Sequence, residues 1–189
     1  MIVGKMEKRF LKKNSLGQVW IETAIYTLIG LTIIAIVLSV ATPQIQKMKE
    51  RAIIKQTITA LYELDKEIKN AEQTGGTVKI VQFKITRGKL DINSEEDKIT
   101  YTLENTKLEF SEEGKEIEEA GLTFKTEKYG RNFNVILELD YSSTIDITYN
   151  GNPLETKTLQ GGGSFYNIQI KNLGADGIDD KTQIDFEIN

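Results

Sequence analysis

The sequence predicts an α+β protein in which a long N-terminal α-helix, first membrane-spanning and then amphipathic, leads into an antiparallel, sandwich-like β-rich head. Three observations carry this. Residues 19–41 are apolar apart from Glu22, a few threonines and Ser39. The residues that follow, as far as Ala71, keep apolar side chains at helical spacing. Beyond Gly76 the period drops to two.

Residues 1–17 form a basic leader. Lys5, Lys8, Arg9, Lys12 and Lys13 against Glu7 give it +4, which leaves −8 on the rest of a chain whose net charge is −4. Residues 18–42 form the apolar helix. At about 1.5 Å per residue the stretch from Val19 to Ala41 covers roughly 34 Å, enough for a bilayer core. A buried core helix would show polar residues every few positions, whereas this run is apolar on all faces. Residues 43–75 continue the helix, with Ile45, Met48, Ala52, Ile58, Leu61, Ile68 and Ala71 compatible with one face. Pro43 lacks an amide donor and predicts a kink or a locally unwound turn. Gly75-Gly76 supplies the stop.

Residues 76–189 form the β-domain. In TVKIVQFKIT, Val78 and Ile80 fall on one alternation and Val81, Phe83 and Ile85 on the other, which predicts a bulge. Leu90 with Ile92, then Ile99, Tyr101 and Leu103, then Leu108 with Phe110, all alternate. Phe133 to Tyr141 and Ile145 to Tyr149 flank a short polar turn and predict a hairpin. SFYNIQI and TQIDFEIN supply the last strands. SEEGKEIEEAG (residues 111–121) and Gly161-Gly162-Gly163 predict solvated loops.

The chain contains neither cysteine nor histidine. Disulfides, thiolate or imidazole metal ligands and Ser-His or Cys-His nucleophile pairs are thereby excluded. No spaced carboxylate pair stands apart from the many acidic residues, so neither an enzyme nor a cofactor is expected. An acidic body without a basic stripe argues against nucleic acid as a partner. Asp176, Asp179 and Asp180 offer hard oxygen ligands for a cation, but their spacing does not fit an EF-hand and a solvated turn is the simpler reading. No N-x-Ser/Thr sequon is present.

The stretch that carries chemistry is Gly17-Gln18-Val19-Trp20-Ile21-Glu22. A basic head, a glycine, a glutamine, a glutamate four residues further on and an unbroken apolar helix together resemble the processing site of type IV pilin-like precursors. The glutamine points to the archaeal branch. The resemblance implies a class III signal peptide, cut by a membrane-embedded prepilin peptidase between Gly17 and Gln18. Gln18 then becomes residue one and Glu22 residue five. It also implies self-assembly through the helix into a homo- or heteropolymeric filament, with Glu22 pairing with a subunit's new α-amino group to set axial register. Membrane lipid before assembly, an assembly ATPase and a membrane platform protein are the further partners implied. The implied placement is a single pass with a cytoplasmic N-terminus and an external β-domain, carried on a cell-surface filament after assembly. Where the archaeal motif commonly has serine two residues after the glutamine and leucine four after the glutamate, this chain has Trp20 and Tyr26.

The physical reading of Glu22 stands beside that resemblance. A carboxylate in hydrocarbon costs on the order of 2–4 kcal/mol on insertion scales, so it persists only where something compensates it. A free amine and the aligned peptide dipoles at a helix N-terminus are both positive, and burial strengthens the pair while penalising a half-assembled site. The blander reading places Glu22 at the membrane interface with its carboxylate in water. Thr23, Thr27 and Gly30 fall on one helical face and suit close packing between helices. Ile58, Leu61, Tyr62 and Ile68 are expected to dock the helix on the β-domain.

Five Lys/Arg precede the apolar run and four follow it (Lys47, Lys49, Arg51 and Lys55), so the positive-inside rule is nearly tied. Orientation rests on the resemblance alone. Two alternatives share the architecture: a pseudopilin of a type II secretion-like system, and an uncleaved single-pass protein whose β-domain binds a ligand or partner. A signal-peptidase cut after Ser39-Val40-Ala41, releasing a domain from Thr42, is disfavoured by the length of the run and by Pro43.

Overall fold

A computed structural model of the chain describes residues 15–175 and 181–189, with side chains from Val19 onward. It divides into two compact units, Met1–Ile45 and Gln46–Asn189. Helix α1 (Ser15–Glu72) contributes to both, and the chain stays helical through Pro43, without the unwound turn that proline allowed for.

In the second unit α1 has the periodicity of a docked helix. Glu50, Ile54, Thr57, Leu61, Leu64, Asp65, Ile68 and Ala71 are buried, at spacings of three and four, while the residues between them are exposed or half-buried. Ile45, Met48 and Ala52, expected on one face with Leu61, Ile68 and Ala71, are exposed, while Ile54 and Leu64, absent from that expectation, are fully buried. Full burial of Ile54, Leu61, Leu64 and Ile68 stabilises this docking by on the order of 8 kcal/mol before ordering costs. The last turn ends at a distant partner. The Asn172 side-chain amide donates to the carbonyl of Ala71 (2.7 Å), which also accepts the Thr74 amide at 3.1 Å, and to that of Glu72 (3.1 Å).

Among the described residues ten strands follow: β1 (Val78–Ile85), β2 (Lys89–Asn93), β3 (Lys98–Thr106), β4 (Glu116–Glu119), β5 (Leu122–Tyr129), β6 (Asn132–Asp140), β7 (Ile145–Tyr149), β8 (Thr156–Gln160), β9 (Ser164–Gly174) and β10 (Thr182–Ile188). They form a four-stranded sheet, β1-β9-β10-β7, and a six-stranded sheet, β4-β5-β6-β3-β2-β8. All pairings are antiparallel except β7 with β10, which is parallel, so the expected antiparallel head is mixed. Inward residues of both sheets and the buried stripe of α1 form one core, with Tyr101, Phe83 and Phe186 its largest fully buried side chains.

Several strand expectations change. β6 and β7 are not a hairpin: β6 pairs with β3 and β5, β7 pairs with β10, and the turn at Tyr141 carries the chain from one sheet to the other. β1 has no bulge. It pairs in unbroken register with β9, with Phe83 and Ile85 buried and Val78 and Ile80 exposed, so its apolar residues simply occupy both faces. The register irregularities lie between β9 and β10 and between β3 and β6. Leu108 and Phe110 lie outside any strand, yet Leu108 is buried and Phe110 stacks on Phe124 at 6.1 Å. The acidic stretch expected as a loop contains β4, every residue of which is exposed. Gly161 is no free loop residue either: its amide bonds the Gly88 carbonyl at 2.7 Å, and a Cβ there would meet the Arg87 backbone at 2.6 Å.

Candidate functional site

The candidate site is α1: an apolar segment with one carboxylate, and a second segment that holds the β-domain. From Val19 to Val40 the large apolar side chains are all substantially exposed, Trp20 by 74% and Tyr26 by 72%. This is the one helix among the described residues long and apolar enough to cross a membrane, and none of its apolar window is buried. In such a setting each polar atom needs a partner within the helix. The serine and threonine hydroxyls comply. Thr23 donates to the Val19 carbonyl (2.9 Å), Thr27 to Thr23 (2.8 Å), Thr32 to Leu28 (2.8 Å), Ser39 to Ile36 (2.7 Å) and Thr42 to Leu38 (2.7 Å). What Thr23 and Thr27 present outward beside Gly30 is therefore methyl groups and backbone, which permits close packing without spare polar groups. Nothing lies within 4 Å of where a Gly30 Cβ would stand.

Glu22 is exposed on this segment, four residues beyond Gln18. Gly17 and Gln18 lie in the first turns of α1, which begins at Ser15. The leader before Ser15 lies outside the described residues, as do Asp176, Asp179 and Asp180; no group of three or more potential metal-ligating side chains occurs among the described ones.

The second segment is held by two buried carboxylates that sequence reading did not single out. Glu50 is 1% exposed and accepts four hydrogen bonds: from Thr106 Oγ1 (2.6 Å), Arg87 Nη1 (2.8 Å), the Lys107 amide (3.0 Å) and Gln46 Nε2 (3.2 Å). Burial pushes its carboxyl upward, but the hydrogen bonds from Thr106, Arg87, Gln46 and the Lys107 amide outweigh that, and the group sits below the usual glutamate value. Asp65 accepts from Tyr141 Oη (2.9 Å) and Lys69 Nζ (2.8 Å). Burial, followed by the Asp65 charge, holds the Tyr141 phenol far above its ordinary value.

The docking residues expected from sequence are in place: Leu61 and Ile68 are fully buried, Ile58 packs against the core, and Tyr62 donates to the Glu119 carbonyl at 3.1 Å. Asp97 ties the two sheets. Standing at the β2–β3 turn, it accepts the buried Ile147 amide of β7 at 2.8 Å while its carbonyl takes the Tyr141 amide at 2.9 Å.

No protein-family model, no curated protein and no solved structure matches this chain. What stands is a single long apolar N-terminal helix followed by a β-domain of two sheets, an architecture of the general pilin-like kind without assignment to a specific family.

Proposed function

We propose that this protein is a single-pass, membrane-anchored protein that displays its β-domain outside the cytoplasm and acts by binding or assembly rather than catalysis. The observation that carries this is the exposed apolar segment whose serine and threonine hydroxyls all return to their own helix, joined to a β-domain that the second half of α1 helps to build. The chain's lack of histidine and cysteine supports the non-catalytic part of the reading.

A more specific reading is favoured by the order and spacing of Gly17, Gln18 and Glu22 at the head of one continuous helix. In it the chain is a subunit of an archaeal type IV pilus-like filament, or a pseudopilin, cut between Gly17 and Gln18 by a prepilin peptidase. An assembly ATPase and a platform protein then extract it from the membrane. Glu22 meets a new α-amine, and the face with Thr23, Thr27 and Gly30 packs against neighbouring helices.

N-terminal sequencing of the membrane-associated protein separates the readings. A chain beginning at Gln18 supports the filament subunit; one beginning at Met1 supports the uncleaved anchor; one beginning at Thr42 overturns both. Under the filament reading, Glu22→Ala is still cleaved but assembles poorly, and a normal filament yield refutes the role given to the carboxylate.

A further inference from the structure

We propose that Lys47, Lys49, Arg51 and Lys55 form a basic collar that binds the anionic headgroups of the membrane surface from which the β-domain emerges. The inference rests on the membrane-anchored reading above and assigns a partner to a segment which that reading leaves without one.

The first support is the lack of internal partners. All four side chains are exposed, and none forms an ion pair among the described residues. By contrast, nine of the 15 Lys and Arg in residues 56–189 are in ion pairs: Lys69, Arg87, Lys89, Lys98, Lys115, Lys125, Lys128, Lys171 and Lys181. The one acid inside the collar, Glu50, is turned into the core and engaged by Arg87. The collar therefore points outward with its charge uncompensated.

A second support is the spacing. Lys47, Arg51 and Lys55 stand four apart on one column of α1, an arrangement in which like charges repel and which costs an isolated helix stability. An external anion would remove that cost. Met48 stands among them with 72% of its surface exposed, an apolar contact suited to the boundary between headgroups and chains.

A third is charge segregation. Residues 56–189 carry 25 acidic against 15 basic groups, so the bulk of the β-domain is repelled by an anionic surface while the collar is attracted. Lys47 follows Ala41, the end of the apolar run, by six residues, which brings the collar to the headgroup zone when that run fills the hydrocarbon. Cations close to an anionic leaflet strengthen association about fivefold each, with the effect fading beyond a Debye length, so Lys47 and Lys49 contribute most. This also gives the near-tie in flanking charge a cause: the cations after the span are an interfacial contact rather than a topology signal.

The chain has no cysteine, so Met48→Cys provides a unique site for an environment-sensitive fluorophore. The labelled full chain is reconstituted into phosphatidylcholine vesicles with and without about 30 mol% phosphatidylglycerol, and quenching by neutral acrylamide is measured. The expected result is quenching about two- to threefold weaker in the anionic vesicles, restored by about 0.5 M NaCl. The protection should vanish when Lys47, Lys49, Arg51 and Lys55 are all changed to Gln, substitutions at exposed positions that leave the core untouched. Equal quenching in the two vesicle types overturns the proposal. So does protection that rises with protein-to-lipid ratio in phosphatidylcholine alone, which would make the acidic body of a second copy the collar's partner. Release of the chain from both vesicle types by alkaline carbonate overturns the membrane-anchored reading itself, a result distinct from failure of the collar.

Discussion

Glu50→Gln tests the central claim about how α1 is held. The substitution keeps the shape of the side chain and removes its charge, and the amide can satisfy only part of a site built from four donors and no acceptor. Thr106 is fully buried, so losing its bond leaves a donor with little access to water, while the part-buried Lys107 amide is bonded to the same oxygen. Hydrogen bonds to a charged acceptor are each worth about 1.5–3 kcal/mol. The Arg87 side chain is 41% exposed, so solvent screens its share and it counts for little once the carboxylate is gone. Part of the loss is offset because the amide no longer has a buried charge to desolvate. The net expectation is destabilisation of the β-domain by about 2–3 kcal/mol, or a fall in Tm of about 4–10 °C for a domain of this size.

Thermal unfolding of the full chain in mild detergent, followed by circular dichroism across pH, is the assay. The folded carboxyl lies below its unfolded value, so its stabilisation is complete above the usual glutamate range and is lost as pH falls through the folded value. The gap between wild type and Glu50→Gln should therefore be largest near neutrality and close in acid. A gap under about 0.5 kcal/mol at neutral pH, or one unchanged under acid conditions, refutes the clamp.

Asp97→Ala removes the acceptor of the Ile147 amide and places alanine at a φ of 54°, so it should cost about 2–4 kcal/mol in denaturant titration, with Asp97→Asn much milder. Gly161→Ala drives a methyl group into the Arg87 backbone and should lower stability by about 1–3 kcal/mol; a neutral result would mean the close approach relaxes easily. Asn172→Leu removes the side-chain donor shared by the last two carbonyls of α1, leaving Ala71 with the Thr74 amide alone, and should raise amide exchange in the Leu64–Glu72 turns, with a loss of about 1–3 kcal/mol. For Tyr141, whose phenol is held above its ordinary range by burial and then by Asp65, tyrosinate absorbance at about pH 11 should be the same in wild type and Tyr141→Phe while the fold persists.

The helix was legible because its signals are one-dimensional: an apolar run of membrane length, a glycine stop and a stripe at helical spacing. The β-domain was legible only as faces. Alternation reports which side of a strand is buried and says nothing about its partner, so Phe133 to Tyr141 and Ile145 to Tyr149 looked like a hairpin although they enter different sheets. β4 escaped because Glu116, Glu118 and Glu119 disguise a strand with no buried residue, held by its pairing with β5 and by the Tyr62 hydroxyl on the Glu119 carbonyl. β5 was missed as well, although Leu122, Phe124 and Thr126 fall on one alternation. Of the site, Gly17, Gln18 and Glu22 stood out through their resemblance to a processing site, and Glu22 also as the one carboxylate of an apolar run. Glu50 did not, since nothing local separates it from exposed Glu63, and its partners Arg87, Thr106 and Lys107 lie 37 to 57 residues away.

The docking of α1 has a mechanical consequence. Ile54, Leu61, Leu64, Ile68 and Ala71 are spread along the helix, each seated in the same core, with Glu50 latched at one end and Asn172 at the other. Tension applied along α1 meets these contacts as fasteners in shear, to be broken together, rather than as a zipper opened one tooth at a time. A tether anchored in this way transmits load into the centre of the domain it carries. Under pull the weakest section should be the exposed helix before Gln46, and extension there should precede any loss of the β-domain's structure.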